Sequence, residues 1–306
     1  MAHYDPTGAL GPHVRRQVTA LASWFDDLVV VSTADLREES RRWLAAHARL
    51  VERGNEGYDF YSYKVGLDSA DLLDYDEVAI CNDTYVLLRD YADLFADMAP
   101  RPADFWGLTM SNEIKPHVQS FFVLFREQAL RSTAFADFWA GMEPISARHK
   151  VIRRYEVGMS RRLMDAGLVA AGHFVPTDAD LRMARLRCRA FLLRRYGMPR
   201  DREGWRRLRD NPRQGRWNPT AGLADRALDQ TRLPFAKIDV FRYDPYGLDA
   251  EKLLYLCEEA MPDAFAGVRD FLAATAASYP ERRGSELRAI PRWLEPIGAR
   301  LRYRAP

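Results

Sequence analysis

The chain has 306 residues, 47% hydrophobic and 29% charged, with a net charge of +2 and a mean hydropathy of -0.37. That length carries one large domain or one domain with an appendage, and the apolar share suffices for a core. The three cysteines, Cys81, Cys188 and Cys257, are widely spaced, which excludes a disulfide framework and a paired-cysteine zinc site. No apolar run is long enough for a membrane span. The start, Met-Ala-His-Tyr-Asp, lacks the basic and apolar regions of a secretory leader, so a reducing, cytoplasmic setting is expected.

In chain order, His3-Tyr4-Asp5-Pro6-Thr7-Gly8 opens on a turn. Val14 to Trp24 predicts an amphipathic helix with Val14, Val18, Leu21 and Phe25 on one face. Leu28 to Thr33 is β-branched and strand-like, and Leu36 to Leu50 reads as a charged helix. Helix, strand, helix in that order predicts parallel βαβ units rather than a sandwich. The stretch from Arg53 to Asp83 organises the rest. Its first half is polar and glycine-punctuated; its second ends in the apolar run Val78–Cys81, which delivers Asn82 and Asp83. Open α/β sheets bind ligands outside the carboxyl ends of their strands. The plain alternative is an Asn-Asp turn.

Tyr85 to Met98 predicts a helix stopped by Pro100 and Pro102, and Asp104 to Thr109 a strand in which Gly107 allows close approach of backbone or ligand. A polar loop from Ser111 to Pro116 leads to His117–Phe125, strongly β-forming after a polar start. Helices follow over Gln128–Trp139, with Phe135, Phe138 and Trp139 as core, and over Lys150–Gly167. From Asp180 to Arg216 arginines crowd the chain. They predict a basic amphipathic helix with Leu186, Ala190 and Leu193 as its apolar stripe, then a basic loop. Leu233-Pro234-Phe235-Ala236-Lys237 is a compact apolar motif. Two helices, Asp249–Pro262 and Asp263–Ser278, precede a loosely attached tail containing Pro291 and Pro296.

Several segments agree in order and spacing: His3-Tyr4-Asp5, Arg53-x-Asn55-x-Gly57-Tyr58-Asp59, Asn82-Asp83-Thr84, Asp104-Phe105-Trp106-Gly107, His117-x-Gln119-Ser120, Tyr155-Glu156-Val157-Gly158, Asn218-Pro219-Thr220 and Leu233-Pro234-Phe235. Together they resemble the rhamnan synthesis F family of bacterial polysaccharide glycosyltransferases. The resemblance implies an α/β, GT-A-like (Rossmann-like) nucleotide-sugar-binding domain over residues 1–178, with a mainly helical, arginine-rich region over 179–306 packed on it. It also implies transfer of a sugar, a deoxyhexose such as rhamnose, from a nucleotide-sugar donor to a glycan or lipid-linked glycan; a single inverting displacement follows if Glu156 is the base. The alternative is a catalytically silent binding subunit of a synthase complex. Nucleic-acid binding through the arginines lacks a recognised motif.

By the same resemblance, Asn55 and Gly57 correspond to an Arg-x-Asn-x-Gly element that includes Arg53. Asn82-Asp83 corresponds to a DxD-like strand end, and Glu156 to the acidic position before a helix. The departures are one carboxylate instead of two at Asn82-Asp83, and Val157 beside Glu156. A diphosphate leaving group needs its charge offset, by a divalent cation (Mg or Mn) on Asp83 or by Arg53 and Lys64. Both cations have a surface alternative. Glu156 is the expected general base, with a helix-capping alternative. His117 is the second candidate, otherwise a hydrogen-bonded structural histidine. Trp106 and Tyr58 are candidates to stack on a base or sugar ring, with core as the alternative for Trp106. Asp59 holds a ribose or sugar hydroxyl or caps a helix near Phe60. Tyr4 and Asp5 meet the nucleotide at the end of the first strand, or lie in a disordered terminus. The arginine-rich helix suggests peripheral contact with the inner face of a membrane, and its alternative is a solvated helix paired to acids elsewhere.

Overall fold

The computed structural model describes residues 1–279, 287–289 and 295–304. It is an α/β structure with a mixed sheet. Strand β1 (Ala2–His3) leads through helix α1 (Pro12–Trp24) to β2 (Val29–Ser32), and through α2 (Glu38–His47) to β3 (Arg49–Glu52). Pro12 at the first helical position starts α1 without losing a needed hydrogen bond, and Val14, Val18 and Leu21 are buried, as their spacing predicts. The helix expected over Leu36–Leu50 ends early. Its last residues form β3, a parallel edge strand whose terminal Arg49 and Glu52 are exposed, so no apolar run announces it.

Helix α3 (Tyr58–Leu67) crosses to β4 (Glu77–Cys81). The chain then makes β5 (Tyr85–Leu87), α4 (Tyr91–Met98), β6 (Phe105–Gly107), β7 (Met110–Ser111), β8 (His117–Val118) and β9 (Phe122–Arg126). The helix expected from Tyr85 therefore starts at Tyr91, and its first residues are a fully buried strand. The next helices are α5 (Glu127–Leu130), α6 (Thr133–Ala140), α7 (Arg148–Val151) and α8 (Val157–Asp165). Ser132 separates α5 from α6 by accepting from the Phe135 amide, and a π-helical turn over Ile152–Glu156 joins α7 to α8. Strand β10 (Ala170–Gly172) closes this half.

β1, β2 and β3 are parallel in the order β1-β2-β3, and a parallel bridge between Ala2 and Asn82 joins β1 to the end of β4. Beyond β4 come β9, β6 and β10, with β9 antiparallel to both neighbours. The expectation of parallel βαβ units holds for the first half only. The chain leaves β1 toward β2 and β3, then returns to β4 on the other side, which makes the β1/β4 junction a topological switch point.

The C-terminal part is α9 (Asp178–Tyr196), α10 (Arg202–Arg213), α11 (Pro219–Gly222), β11 (Phe235–Lys237), α12 (Ile238–Tyr243), α13 (Ala250–Ala260), α14 (Pro262–Phe265), α15 (Val268–Thr275) and α16 (Glu295–Leu301). The basic loop expected after the first arginine helix is itself the helix α10. Strand β11 pairs antiparallel with β5, Lys237 opposite Tyr85. Cys188, Leu192 and Trp217 share a core with Tyr85, Trp106 and Phe122, while Phe60, Phe125, Trp139 and Met159 form a second core.

The apolar stripe expected on α9 is displaced. Leu186 is exposed, and the buried face is Ala184, Arg187, Cys188 and Leu192. Arg187 is there because Asp225 meets it in two hydrogen bonds of 2.8 and 2.6 Å, with both side chains fully buried. Its remaining donors go to carbonyls of Gly222, Leu301 and Arg302. The described end of the tail is thus anchored rather than loose: Tyr303 is fully buried and donates to the Ala221 carbonyl at 2.6 Å. Pro291 lies outside the described residues. Arg187→Met leaves the buried Asp225 without both short hydrogen bonds and with only Arg226 nearby, at 3.9 Å, and is expected to lower stability by about 3 kcal/mol; a thermal melt indistinguishable from wild type contradicts this account of the clamp.

Candidate active site

The carboxyl ends of β1 and β4 meet at the switch point. The Tyr4 amide donates to Asp83 Oδ2 at 2.7 Å, which ties the two strand ends together. The Asn82 amide group donates to Asp59 Oδ2 at 2.8 Å, and its Oδ1 accepts from Thr84 Oγ1 at 2.6 Å. This explains the asparagine where the resemblance implies an acid: a carboxylate at Asn82 would face that of Asp59 at contact distance, with no donor between them. Asp59 stands in the first turn of α3. It reaches Asn82 because Gly57 and Tyr58 turn the chain through positive φ, +69° and 55°. A Cβ on Gly57 would lie 2.5 Å from the Tyr61 Cβ, so only glycine fits.

Burial raises the pKa of Asp59, and the hydrogen bond from Asn82 and the charge of Lys237 act against it. Burial pushes Asp83 up to about 8, helped by the Asp59 charge and opposed by the Tyr4 amide. Lys237, at the end of β11, comes into the same site from the C-terminal part. Its ammonium donates to Thr84 Oγ1 and lies 4.4 Å from the centre of the Phe121 ring. Burial lowers it to about 8, while Asp239, Asp59, Glu156 and Asp83 hold the charged form. Glu156 ends the π-helical turn, a feature frequent at functional sites. Its Oε1 accepts from the Ser120 amide at 2.9 Å and the Ser120 hydroxyl at 3.0 Å. The Ser120 carbonyl in turn accepts from Tyr63, and the Phe121 carbonyl from the Asn82 amide. Asp59, Glu156 and Asp83 therefore all act electrostatically on Lys237 across one junction.

The other expected site residues divide. His117 is buried, and its Nδ1 donates to the Lys115 carbonyl at 2.7 Å, which leaves Nε2 as the acceptor. It stands beside Glu113, whose carboxyl is raised by burial and held down by His117. Tyr4, Asn55 and Tyr58 are exposed. Asp5 is buried in a turn, where its Oδ1 accepts from the amide and hydroxyl of Thr7. The opening residues are thus ordered by β1 and this turn.

Three expectations are corrected. Trp106 is fully buried between Phe95 and Phe122 and cannot stack on a ligand. The close approach at Gly107 is by the Val118 side chain and the Phe122 carbonyl. Arg53 does not face the strand ends with a free guanidinium. It donates to the carbonyls of Gly54, Glu56 and Tyr58 and to Ser62 Oγ, clasping the loop before α3. Lys64 pairs with Asp68 one turn on, at 2.7 Å. A cation that does reach the strand end is Lys237. Its Leu-Pro-Phe-Ala-Lys motif stands out in the sequence as apolar, with no role for the lysine; the signal is a lysine closing an apolar strand, where a solvated residue has no reason to be.

A divalent cation does not find a ready ligand set. Among the described residues no group of three or more His, Cys, Asp and Glu side chains could hold a metal ion. Of the Asn82-Asp83 pair only Asp83 is a carboxylate, and its Oδ2 is engaged by the Tyr4 amide. A small cleft of about 40 Å³ opens beside it, lined by His3, Asp5, Asp83, Asp239, Arg242 and Tyr279. A roomier cavity of about 440 Å³ lies at the amino ends of β2 and β4, lined by Val29, Glu77 and Val78. Ligands of such sheets sit at the opposite, carboxyl ends, where the titratable groups converge.

The uncharacterized protein y4gN of Sinorhizobium fredii is 26% identical over 183 residues, covering 57% of this chain and 48% of that protein. Virulence protein VirA of Vibrio anguillarum is 30% identical over 124 residues, 39% of this chain and 40% of VirA. The chain spans less than half the length of these curated relatives. The model of rhamnan synthesis protein F matches residues 28–185, which include β2 to β10, Asp59, Asn82, Asp83 and Glu156. On that match, over more than half its length, the chain belongs to the rhamnan synthesis protein F family.

Proposed function

We propose that the chain is a glycosyltransferase that moves a sugar, a deoxyhexose such as rhamnose, from a nucleotide-sugar donor to a glycan or lipid-linked glycan acceptor in surface-polysaccharide synthesis. The observation that carries this reading is the meeting of Asp59, the Asn82–Thr84 strand end, Glu156 and Lys237 at the β1/β4 switch point. The order β3-β2-β1-β4 supports a nucleotide-binding half of the GT-A kind. The name of the Vibrio relative, a virulence protein, accords with a cell-surface product.

In this mechanism Glu156 takes the proton of the acceptor hydroxyl with the oxygen that Ser120 leaves free. The acceptor oxygen attacks the anomeric carbon, the bond from that carbon to the diphosphate oxygen breaks, and the electron pair leaves with the diphosphate. One such displacement inverts the anomeric centre. Lys237 offsets the leaving charge, worth most in a site shielded from water. Asn82 holds Asp59 for a sugar or ribose hydroxyl. Asp83 fixes β1 against β4 and borders the cleft.

Thermal shift against dTDP, UDP and GDP, with and without Mg or Mn, identifies the nucleotide. Turnover of the matching nucleotide sugar then tests the chemistry. Asp83→Ala unties β1 from β4 and is expected to reduce transfer about a hundredfold by misplacing the site, with the fold retained by circular dichroism; turnover near wild type removes Asp83 from the mechanism. A silent binding subunit is the second reading, favoured by the single carboxylate at Asn82-Asp83. Nucleotide binding with no transfer and no donor hydrolysis selects it.

A further inference from the structure

Among the described residues, helix α10 presents an exposed outward face. At 3.6 residues per turn, Arg202, Trp205, Arg206, Arg209 and Arg213 fall within an arc of about 100°, and all five are exposed. Trp205 is 54% exposed. The acids of the helix lie off this arc and are engaged: Glu203 pairs with Arg207, and Asp210 with Arg209. Arg202, Arg206 and Arg213 make no ion pair among the described residues. Arg207 points inward, stacking 4.7 Å over the Tyr196 ring of α9 and locking the two helices together. The connection between them adds Met198, 66% exposed, and Arg182 and Arg185 of α9 are exposed as well.

A solvated helix does not need an exposed tryptophan and methionine among unpaired arginines. Each component has a place at an anionic bilayer: guanidinium groups at the phosphates, the indole and thioether at the boundary with the acyl chains. Nucleic acid would use the arginines but leave Met198 without a role. We infer that the face formed by α10 and the adjoining part of α9 docks the protein on a membrane surface rich in anionic phospholipid. No helix of the described residues is long and apolar enough to cross a membrane, so the contact is peripheral. The arginines expected to serve this contact from the sequence are partly reassigned: Arg194 donates to the Gly247 and Arg288 carbonyls and belongs to the fold.

The test is cosedimentation with phosphatidylcholine vesicles, with and without phosphatidylglycerol. Wild type is expected to bind the anionic vesicles at low salt, to release at high salt, and to ignore pure phosphatidylcholine. The triple variant R202Q/R206Q/R213Q is expected to bind about a hundredfold more weakly, about fivefold per arginine, and Trp205→Ala to bind more weakly than wild type. These positions are exposed, so unchanged melting temperatures confirm that both variants fold. Binding by either variant equal to wild type overturns the proposal. So does absence of binding to anionic vesicles at low salt, and so does tighter binding to a duplex or single-stranded oligonucleotide than to the vesicles.

Discussion

Glu156→Gln is expected to lower transfer by about a hundredfold to ten-thousandfold, the range for loss of a general base, while nucleotide affinity and melting temperature stay near wild type. The substitution is chosen for its geometry. A glutamine keeps an oxygen to accept from the Ser120 amide and hydroxyl, so the turn between β8 and β9 keeps its anchor. What is removed is the capacity to take a proton. Single-turnover measurement with saturating donor and acceptor places the loss in the chemical step, because the base acts only there. A variant that transfers at the wild-type rate rules Glu156 out as base. His117 then follows by the same logic, since its Nε2 is the free acceptor.

Lys237→Met is expected to weaken binding of the nucleoside diphosphate and to lower transfer by about a hundredfold to a thousandfold, the scale for losing one fixed charge at a developing anion. Methionine keeps the length of the side chain and removes the ammonium that lies over the Phe121 ring. The pH dependence gives an independent reading. In the folded chain Lys237 is lowered to about 8 from 10.5. Below about 8 the ammonium is present to meet a diphosphate. As pH rises through 8 it loses its proton, and Asp83, raised to about 8, gains a negative charge. The first change removes an attraction for the diphosphate and the second adds a repulsion, so affinity should fall across that window. For stability the lysine acts oppositely. Between pH 8 and 10.5 the unfolded chain binds the extra proton, so its contribution to stability rises with pH there. Lys237→Arg keeps the charge throughout and should flatten the lysine's part of the binding profile. Titration calorimetry with the nucleotide found by thermal shift, run with EDTA, measures this. Affinity in Lys237→Met equal to wild type at pH 7 means that Lys237 does not touch the diphosphate.

Residue-level features of the site were legible to different depths. Asn82 and Asp83 announce themselves because a β-branched run ending in two polar residues is a local pattern, and the parallel sheet brings such ends together at one edge. Glu156 was reached through the family resemblance. Its π-helical turn and its bonds to Ser120 depend on a strand connection 36 residues away. Arg53 and Lys64 read as available cations because sequence shows charge but not engagement. Both turn out to be held within their own loop or helix.

The sequence by itself determined the amphipathic helix α1, the buried strands β2 and β4, the arginine-rich helix and the family, since each is written in residues within a few turns of one another or in the order of short motifs. Only the tertiary structure decided that Tyr85–Leu87 is a strand, because its hydrogen-bonding partner, Phe235–Lys237, lies about 150 residues away. The same pairing places Lys237 opposite Tyr85 and its ammonium on Thr84. It likewise decided that Arg187 points inward, toward Asp225 38 residues on. Periodicity reports which residues share a face of one element. What that face meets is set by partners distant in the chain, whose hydrogen bonds and charges can reverse a local preference.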